Sequence, residues 1–182
     1  MRYVTTPLVG VSAALLLAAG AAHAQSNESI EVEMHSVSAE GIGESIGTVT
    51  AEASDFGGVM LTPSLSGLEP GVYGFHMHEN PSCEPAENDD GEMTAAQAAG
   101  DHYDPDNTDT HQGPYGDGHL GDLPVLTVNE DGEANLPMLA PRLSMDDLAG
   151  HSLMVHEGGD TYSDEPHLGG GGGRQACGVI EG

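Results

Sequence analysis

Gly74-Phe75-His76-Met77-His78-Glu79 is the stretch on which the reading of this chain turns. Val72, Tyr73 and Phe75 give the run the character of a β-strand. Alternate strand residues face the same side, so His76 and His78 present two imidazoles to one spot. A strand can offer a transition metal two nitrogen donors at once in this way. An isolated H-x-H is weak evidence, and the placing of the other histidines gives it weight.

Working outward, the same period recurs. Ile30, Val32 and Met34 alternate with Glu31, Glu33 and His35, the pattern of a half-buried strand. Residues 46–52 and 58–63 predict two more strands around a turn at Ser54-Asp55-Phe56-Gly57, and Glu69-Pro70-Gly71 is a turn before the histidine strand. Residues 123–128 and 133–136 flank an Asp131-Gly132 hairpin signal. Residues 152–156 and 177–180 complete the set. Thr94 to Gly100 predicts one helical turn with a threonine cap and a glycine stop, and Ser144 to Leu148 a short capped turn. Two irregular segments interrupt the strands, residues 80–122 and 157–174, the second ending in Gly169 to Gly173. About eight short strands and two long functional loops predict an all-β domain, a flattened eight-stranded Greek-key barrel or sandwich. With 27 glycines, 11 prolines and no tryptophan, composition also favours a turn-rich β protein. A loop of roughly 40 residues in a compact domain needs something to hold it.

The first residues belong to export. Arg2 is a short positive start, Leu8 to Ala22 is almost wholly apolar or small, and Ala22-His23-Ala24 is a cleavage signal. The apolar run is too short for a membrane span, which takes about 20 residues. Residues 1–24 therefore read as a signal peptide cleaved after Ala24, and residues 25–182 as one domain with no membrane attachment, periplasmic or secreted. Outside the reducing cytosol, Cys83 and Cys177 are expected to form a disulfide, free thiols or zinc ligands being the alternative.

Thirty acidic residues face three arginines and no lysine, a formal charge of −27. Removing Arg2 with the leader makes it −28. Such a chain does not bind nucleic acid or anionic membrane by electrostatics. The scarcity of cations suggests a host living in strong brine, where screening shrinks to about 3 Å at 1 M salt.

Ten histidines is a high number, and His23 leaves with the signal peptide. Between residues 100 and 124 the long loop offers His102, His111, His119 and an aspartate. Three nitrogens and one carboxylate complete a tetrahedral zinc site with no open position, which is structural and would order the loop. His76, His78 and His156 remain, on strands, and imidazole-rich sites suit copper.

GFHMHE at 74–79, GDHYDP at 100–105, HQGPYG at 111–116, GHLGDLP at 118–124, APRL at 140–143, MVHEGGDTYSD at 154–164 and GGGGRQACGVI at 170–180 closely resemble the bacterial exported copper/zinc superoxide dismutases. The likeness runs in order over nearly the whole mature chain. It implies one copper and one zinc ion per subunit. Copper would be held by His76, His78, His102 and His156, and zinc by His102, His111, His119 and Asp122, with His102 shared. Cys83 and Cys177 would form the family disulfide. Arg174 would stand over copper as a catalytic group with His102, and Asp160 would join ligands of the two metals, His76 and His111. The implied reaction converts two superoxide anions to oxygen and hydrogen peroxide, a defence outside the cytoplasm. A homodimer and a monomer are both compatible with the resemblance.

A copper carrier of the same fold would be expected to lack a copper ligand or Arg174, and a non-catalytic sandwich would not need six histidines at these places. His35, His151 and His167 receive no role. Arg142 reads as structural, paired with carboxylates, and the acids from Glu84 to Glu92 as a solvated loop face. Asp101 departs from the family pattern, which often has glycine before the shared histidine, and adds negative charge beside the metals.

Overall fold

The computed structural model describes Met1 and residues 29–181; the signal-peptide reading, Met1 apart, falls outside these residues. Twelve strands are present among them: β1 (Ser29–Ser38), β2 (Gly41–Ala53), β3 (Val59–Ser66), β4 (Gly71–Tyr73), β5 (Phe75–His78), β6 (Ala86–Glu87), β7 (Met93–Thr94), β8 (Leu126–Val128), β9 (Glu133–Ala134), β10 (Met138–Ala140), β11 (Ser152–His156) and β12 (Arg174–Val179). Eight form one sheet in the order β10-β3-β2-β1-β12-β11-β5, with β9 also on β3. The sheet curls into a half-barrel, as the all-β reading required. The first and last strands lie side by side, β1 pairing with β12.

Alternation sorts the side chains. In β3, Val59, Leu61, Pro63 and Leu65 are buried while Ser64 and Ser66 are exposed. In β1, Val32 and Met34 enter the core and Glu31 and Glu33 face water. β5 and β11 break this rule, being buried at every position. Phe75, Met77, Leu153 and Val155 point into the core. The alternate residues, His76, His78 and Met154, lie on the outer face, where the long loop covers them.

The loop is bound to the free edge of β5 by backbone hydrogen bonds. Met77 N–H donates to Gly121 O (2.9 Å), Tyr103 N–H to Met77 O (2.8 Å) and Glu79 N–H to Asp101 O (3.0 Å). An exposed sheet edge is thereby capped, and the loop histidines are brought against the strand histidines. The disulfide between Cys83 and Cys177 pins the start of the loop to β12. Ala96, Ala99 and Met154 pack around it as a second small core.

Some local expectations needed correction. The predicted helical turn is a 3-10 turn over Gln97–Ala99. Its N-cap is Ala96 in the left-handed region, because Thr94 is drawn into the β6–β7 pair opposite Ala86. The turn near Ser144 does carry a reciprocal cap with Asp147. β10 was not anticipated, and β12 begins at Arg174, three residues before the expected strand.

Candidate metal centre

Two buried clusters of donor atoms share one residue. His76, His78, His102 and His156 form the first, and His102, His111, His119 and Asp122 the second; within each, the donor atoms lie within 4.8 Å of one another. β5 supplies His76 and His78, β11 supplies His156, and the loop supplies the rest.

Hydrogen bonds select which ring nitrogen faces inward. His78 Nδ1 donates to Gly100 O (2.9 Å), and His156 Nδ1 lies 3.3 Å from Gly172 O. The Nε2 atoms of these two rings are left facing each other at 3.4 Å. His76 uses Nε2 toward Asp160 Oδ2 (2.7 Å), so its Nδ1 is free. His102 uses Nδ1 toward Asp122 Oδ1 (3.0 Å), so its Nε2 is free. His76 Nδ1 and His102 Nε2 are buried with no hydrogen-bond partner. Buried polar atoms are rarely left unpaired, and two free lone pairs in one cluster could take a metal ion.

In the second cluster three Nδ1 atoms converge on one carboxylate oxygen. Asp122 Oδ1 lies 3.0 Å from His102, 2.9 Å from His111 and 3.3 Å from His119. Zinc bonds of about 2.0–2.1 Å in a tetrahedron place donors roughly 3.3–3.4 Å apart, so the spacing fits that ion after slight expansion. The other oxygen, Oδ2, accepts from the N–H groups of Gln112 (3.0 Å) and Gly113 (3.2 Å) and is thereby held out of the centre.

Asp160 sits between the clusters, with Oδ2 on His76 Nε2 and Oδ1 2.8 Å from His111 Nε2. Gly169 lies against it at φ +72°, where a side chain would be strained and would overlap the carboxylate. Part of the five-glycine run is thus explained by close approach. Arg142 is structural but, among the described residues, pairs with no carboxylate: it donates to Gly118 O (2.6 Å) and His119 O (3.0 Å), steadying the backbone beside His119.

Burial, followed by the neighbouring rings, lowers the pKa of His76 and His78 well below the usual imidazole value. Burial also lowers His102, against its bond to Asp122, and brings His156 down to about 4. The first cluster therefore offers neutral imidazoles with available lone pairs. At His111 burial lowers the pKa, but the hydrogen bonds to Asp122 and Asp160 outweigh it and raise the value to about 9. The bond to Asp122 raises His119 as well. Burial opposes the charged form of Asp122 and Asp160, yet their histidine partners hold both well below the usual carboxylate range. Without metal His111 is thus held protonated, and a zinc ion taken up there would displace that proton.

Arg174 lies over the first cluster. Nη1 donates to Ala96 O and Nη2 to Gly100 O, both at 2.7 Å. A cavity of about 430 Å³ opens beside it, lined also by His78, His102, His156 and His167. Burial lowers the arginine pKa while Asp101 raises it. Gly100 O accepts from both His78 and Arg174 and so couples a cluster ring to the guanidinium. His151, given no role from sequence, donates through Nδ1 to Glu79 O (2.8 Å) and lies against Tyr103. His35 is half-buried, 3.7 Å from Glu33, and His167 is exposed at the cavity rim. No spacing signal could have revealed the two carbonyls or His151, because their partners are distant in sequence.

The family profile for copper/zinc superoxide dismutase (SODC) matches residues 45–180. The chain belongs to the copper/zinc superoxide dismutase family. A Salmonella typhimurium Cu-Zn superoxide dismutase is 55% identical over 168 residues, covering 91% of this chain and 94% of that protein. The Escherichia coli K12 Cu-Zn enzyme is 52% identical over 170 residues, 92% and 95% of the respective chains. The Brucella abortus Cu/Zn superoxide dismutase structure superposes with a TM-score of 0.81 at 51% identity, covering 85% of this chain and all of that one. The protein is a superoxide dismutase with copper and zinc as cofactors.

The Asp160 bridge makes the first prediction for the dismutase. Asp160→Asn keeps the shape but leaves one of the two imidazole N–H groups facing an amide N–H₂. Zinc affinity is expected to fall by about 10–100-fold, the usual effect of losing a carboxylate behind a ligand. Competition against a chromogenic chelator reads this directly, and unchanged affinity would remove Asp160 from the metal-holding set.

Proposed function

We propose that the dismutase holds copper through His76 Nδ1 and the Nε2 atoms of His78, His102 and His156. Zinc is held through the Nδ1 atoms of His102, His111 and His119 together with Asp122 Oδ1. The observation that carries this reading is His102: one ring serves both clusters, with Nδ1 on the carboxylate side and a buried, unpartnered Nε2 on the other. When bound, copper supplies the one-electron chemistry that oxidises one superoxide to oxygen and reduces the next, with two protons, to hydrogen peroxide. The lone pair of His102 Nε2 would serve either copper or a proton, so this atom would take up a proton in one half of the cycle as it gives up the ion and release it in the other. Its Nδ1 remains engaged on the zinc side, so the ring keeps its orientation. Arg174 is permanently charged and its forked donors hold a small anion in the cavity beside His78 and His156. Determining metal content alongside superoxide decay tests the whole: copper with fast decay supports the reading, and copper with slow decay or no copper overturns it.

The substrate is an anion approaching a protein of formal charge −27 with its leader. Repulsion at long range should slow the encounter, and salt should relieve it. Arg174→Met is expected to lower the bimolecular rate by about 10–100-fold, within the range that a focused local field supplies. Its rate should climb with ionic strength more steeply than that of the parent. A parent rate that falls steeply with added salt would show a dominant positive funnel instead.

The mature enzyme is residues 25–182, exported to the periplasm or released after cleavage behind Ala24. The leader-like start, the disulfide and the bacterial dismutase relatives support this. Amino-terminal sequencing of the exported protein tests it. Of the two assembly states compatible with the sequence, a homodimer and a monomer, the enzyme adopts the monomer. The Salmonella enterica relative, 54% identical with a TM-score of 0.75, is described as monomeric. Solution mass of the metal-loaded protein decides.

A further inference from the structure

β12 departs from regular pairing where it meets the copper cluster. Along β11 and β12 the partners run Ser152–Val179, Leu153–Gly178, Met154–Cys177 and Val155–Ala176, and then His156–Arg174. The register skips Gln175, so two residues of β12 oppose one of β11, which is a β-bulge.

The bulge decides which way Arg174 points. Met154 pairs with His76 and Ser152 with His78, so these residues share the outer, metal-bearing face of the sheet. Met154 also pairs with Cys177, which places Cys177 on that face and Ala176 on the core face. With strict alternation Gln175 would return to the metal face and Arg174 would enter the core. The extra residue reverses this and sets Arg174 beside His156.

Gln175 also spans the irregularity with its side chain, Nε2 donating to the His156 carbonyl. The other polar groups of His156 are held too: its N–H donates to Gly74 O (2.9 Å), and Nδ1 faces Gly172 O (3.3 Å). A bulge interrupts the ladder of backbone bonds and leaves the strand pair locally softer. A side-chain donor at that point restores a restraint. We propose that Gln175 is a positioning residue: its amide locks the bulge and so sets the His156 imidazole and the Arg174 guanidinium relative to one another. The inference rests on the reading of His156 as a copper ligand and Arg174 as the anion-binding group. Glutamine suits the task because it donates to a carbonyl without adding charge. Leucine matches its bulk without a donor, and glutamate matches its shape but, ionised, only accepts.

The test uses the copper- and zinc-loaded enzyme, read by the Cu(II) electron paramagnetic resonance spectrum and by azide titration. Gln175→Leu and Gln175→Glu are expected to change the copper hyperfine splitting and to weaken azide binding at least threefold. Gln175→Lys, which restores a donor, should bring the spectrum back toward the parent. Superposable spectra and equal azide affinity in the parent, the leucine and the glutamate forms would overturn the proposal, even if the variants differ in melting temperature. The parent spectrum separates the two levels. Multiple nitrogen couplings there with no response to substitution defeat Gln175 alone; their absence defeats the ligand reading and this inference with it.

Discussion

His102→Ala is expected to reduce superoxide decay to the spontaneous rate and to strip metal from both clusters. On the proposed reading the ring has two jobs on opposite edges. Nδ1 stands 3.0 Å from Asp122 Oδ1 in the second cluster, and Nε2 is buried beside the other three histidines of the first. Losing a group that merely supports a ligand costs about 10–100-fold in metal affinity, so losing a shared ligand costs more on each side. The substitution also removes the atom proposed to carry the proton. His119→Ala provides the contrast, since His119 belongs to the second cluster alone, the one proposed to hold zinc. Copper should remain bound in that variant while zinc is lost. Metal content after dialysis against a chelator, measured with superoxide decay on the same samples, separates the two. Full activity and both metals in His102→Ala would sink the shared-ring reading.

Opening the disulfide is expected to have the next largest effect. Cys83 and Cys177 are 94 residues apart in sequence, and the chain-entropy treatment gives about 4–5 kcal/mol for closing a loop of that size. The double variant Cys83→Ser, Cys177→Ser should therefore show a folding equilibrium constant lower by about a thousandfold in urea titration. The effect should reach the anion site as well. The disulfide packs with Ala96 and Ala99, and Arg174 is fastened to the carbonyls of Ala96 and Gly100. Loosening that segment frees the guanidinium, and azide affinity should fall even at temperatures where the variant remains folded. A variant as stable as the parent, with unchanged azide affinity, would contradict both parts.

Residue order and residue type were sufficient for the all-β architecture and for naming the histidines and the aspartate that the fold gathers into two buried clusters. Both signals are local. Strand alternation repeats every two residues, and histidines and aspartates are conspicuous because few side chains bind these metals. The resemblance to a known family then ordered the donors into two sets. Residue type could not say which nitrogen of each ring faces inward. That follows from the partners of the opposite nitrogens, Gly100 O, Gly172 O, Asp160 and Asp122. Nor could periodicity place Arg174. Read with a period of two from Cys177, it belongs in the core, and a single extra residue in β12 turns it to the metal face. The Thr94 cap failed for a related reason, since pairing with Ala86 overrides a local capping preference. Composition and spacing report what each residue prefers within a few neighbours. The direction of a side chain at a bulge, or of a ring nitrogen in a buried cluster, is settled by strands and loops that meet only when the chain has folded.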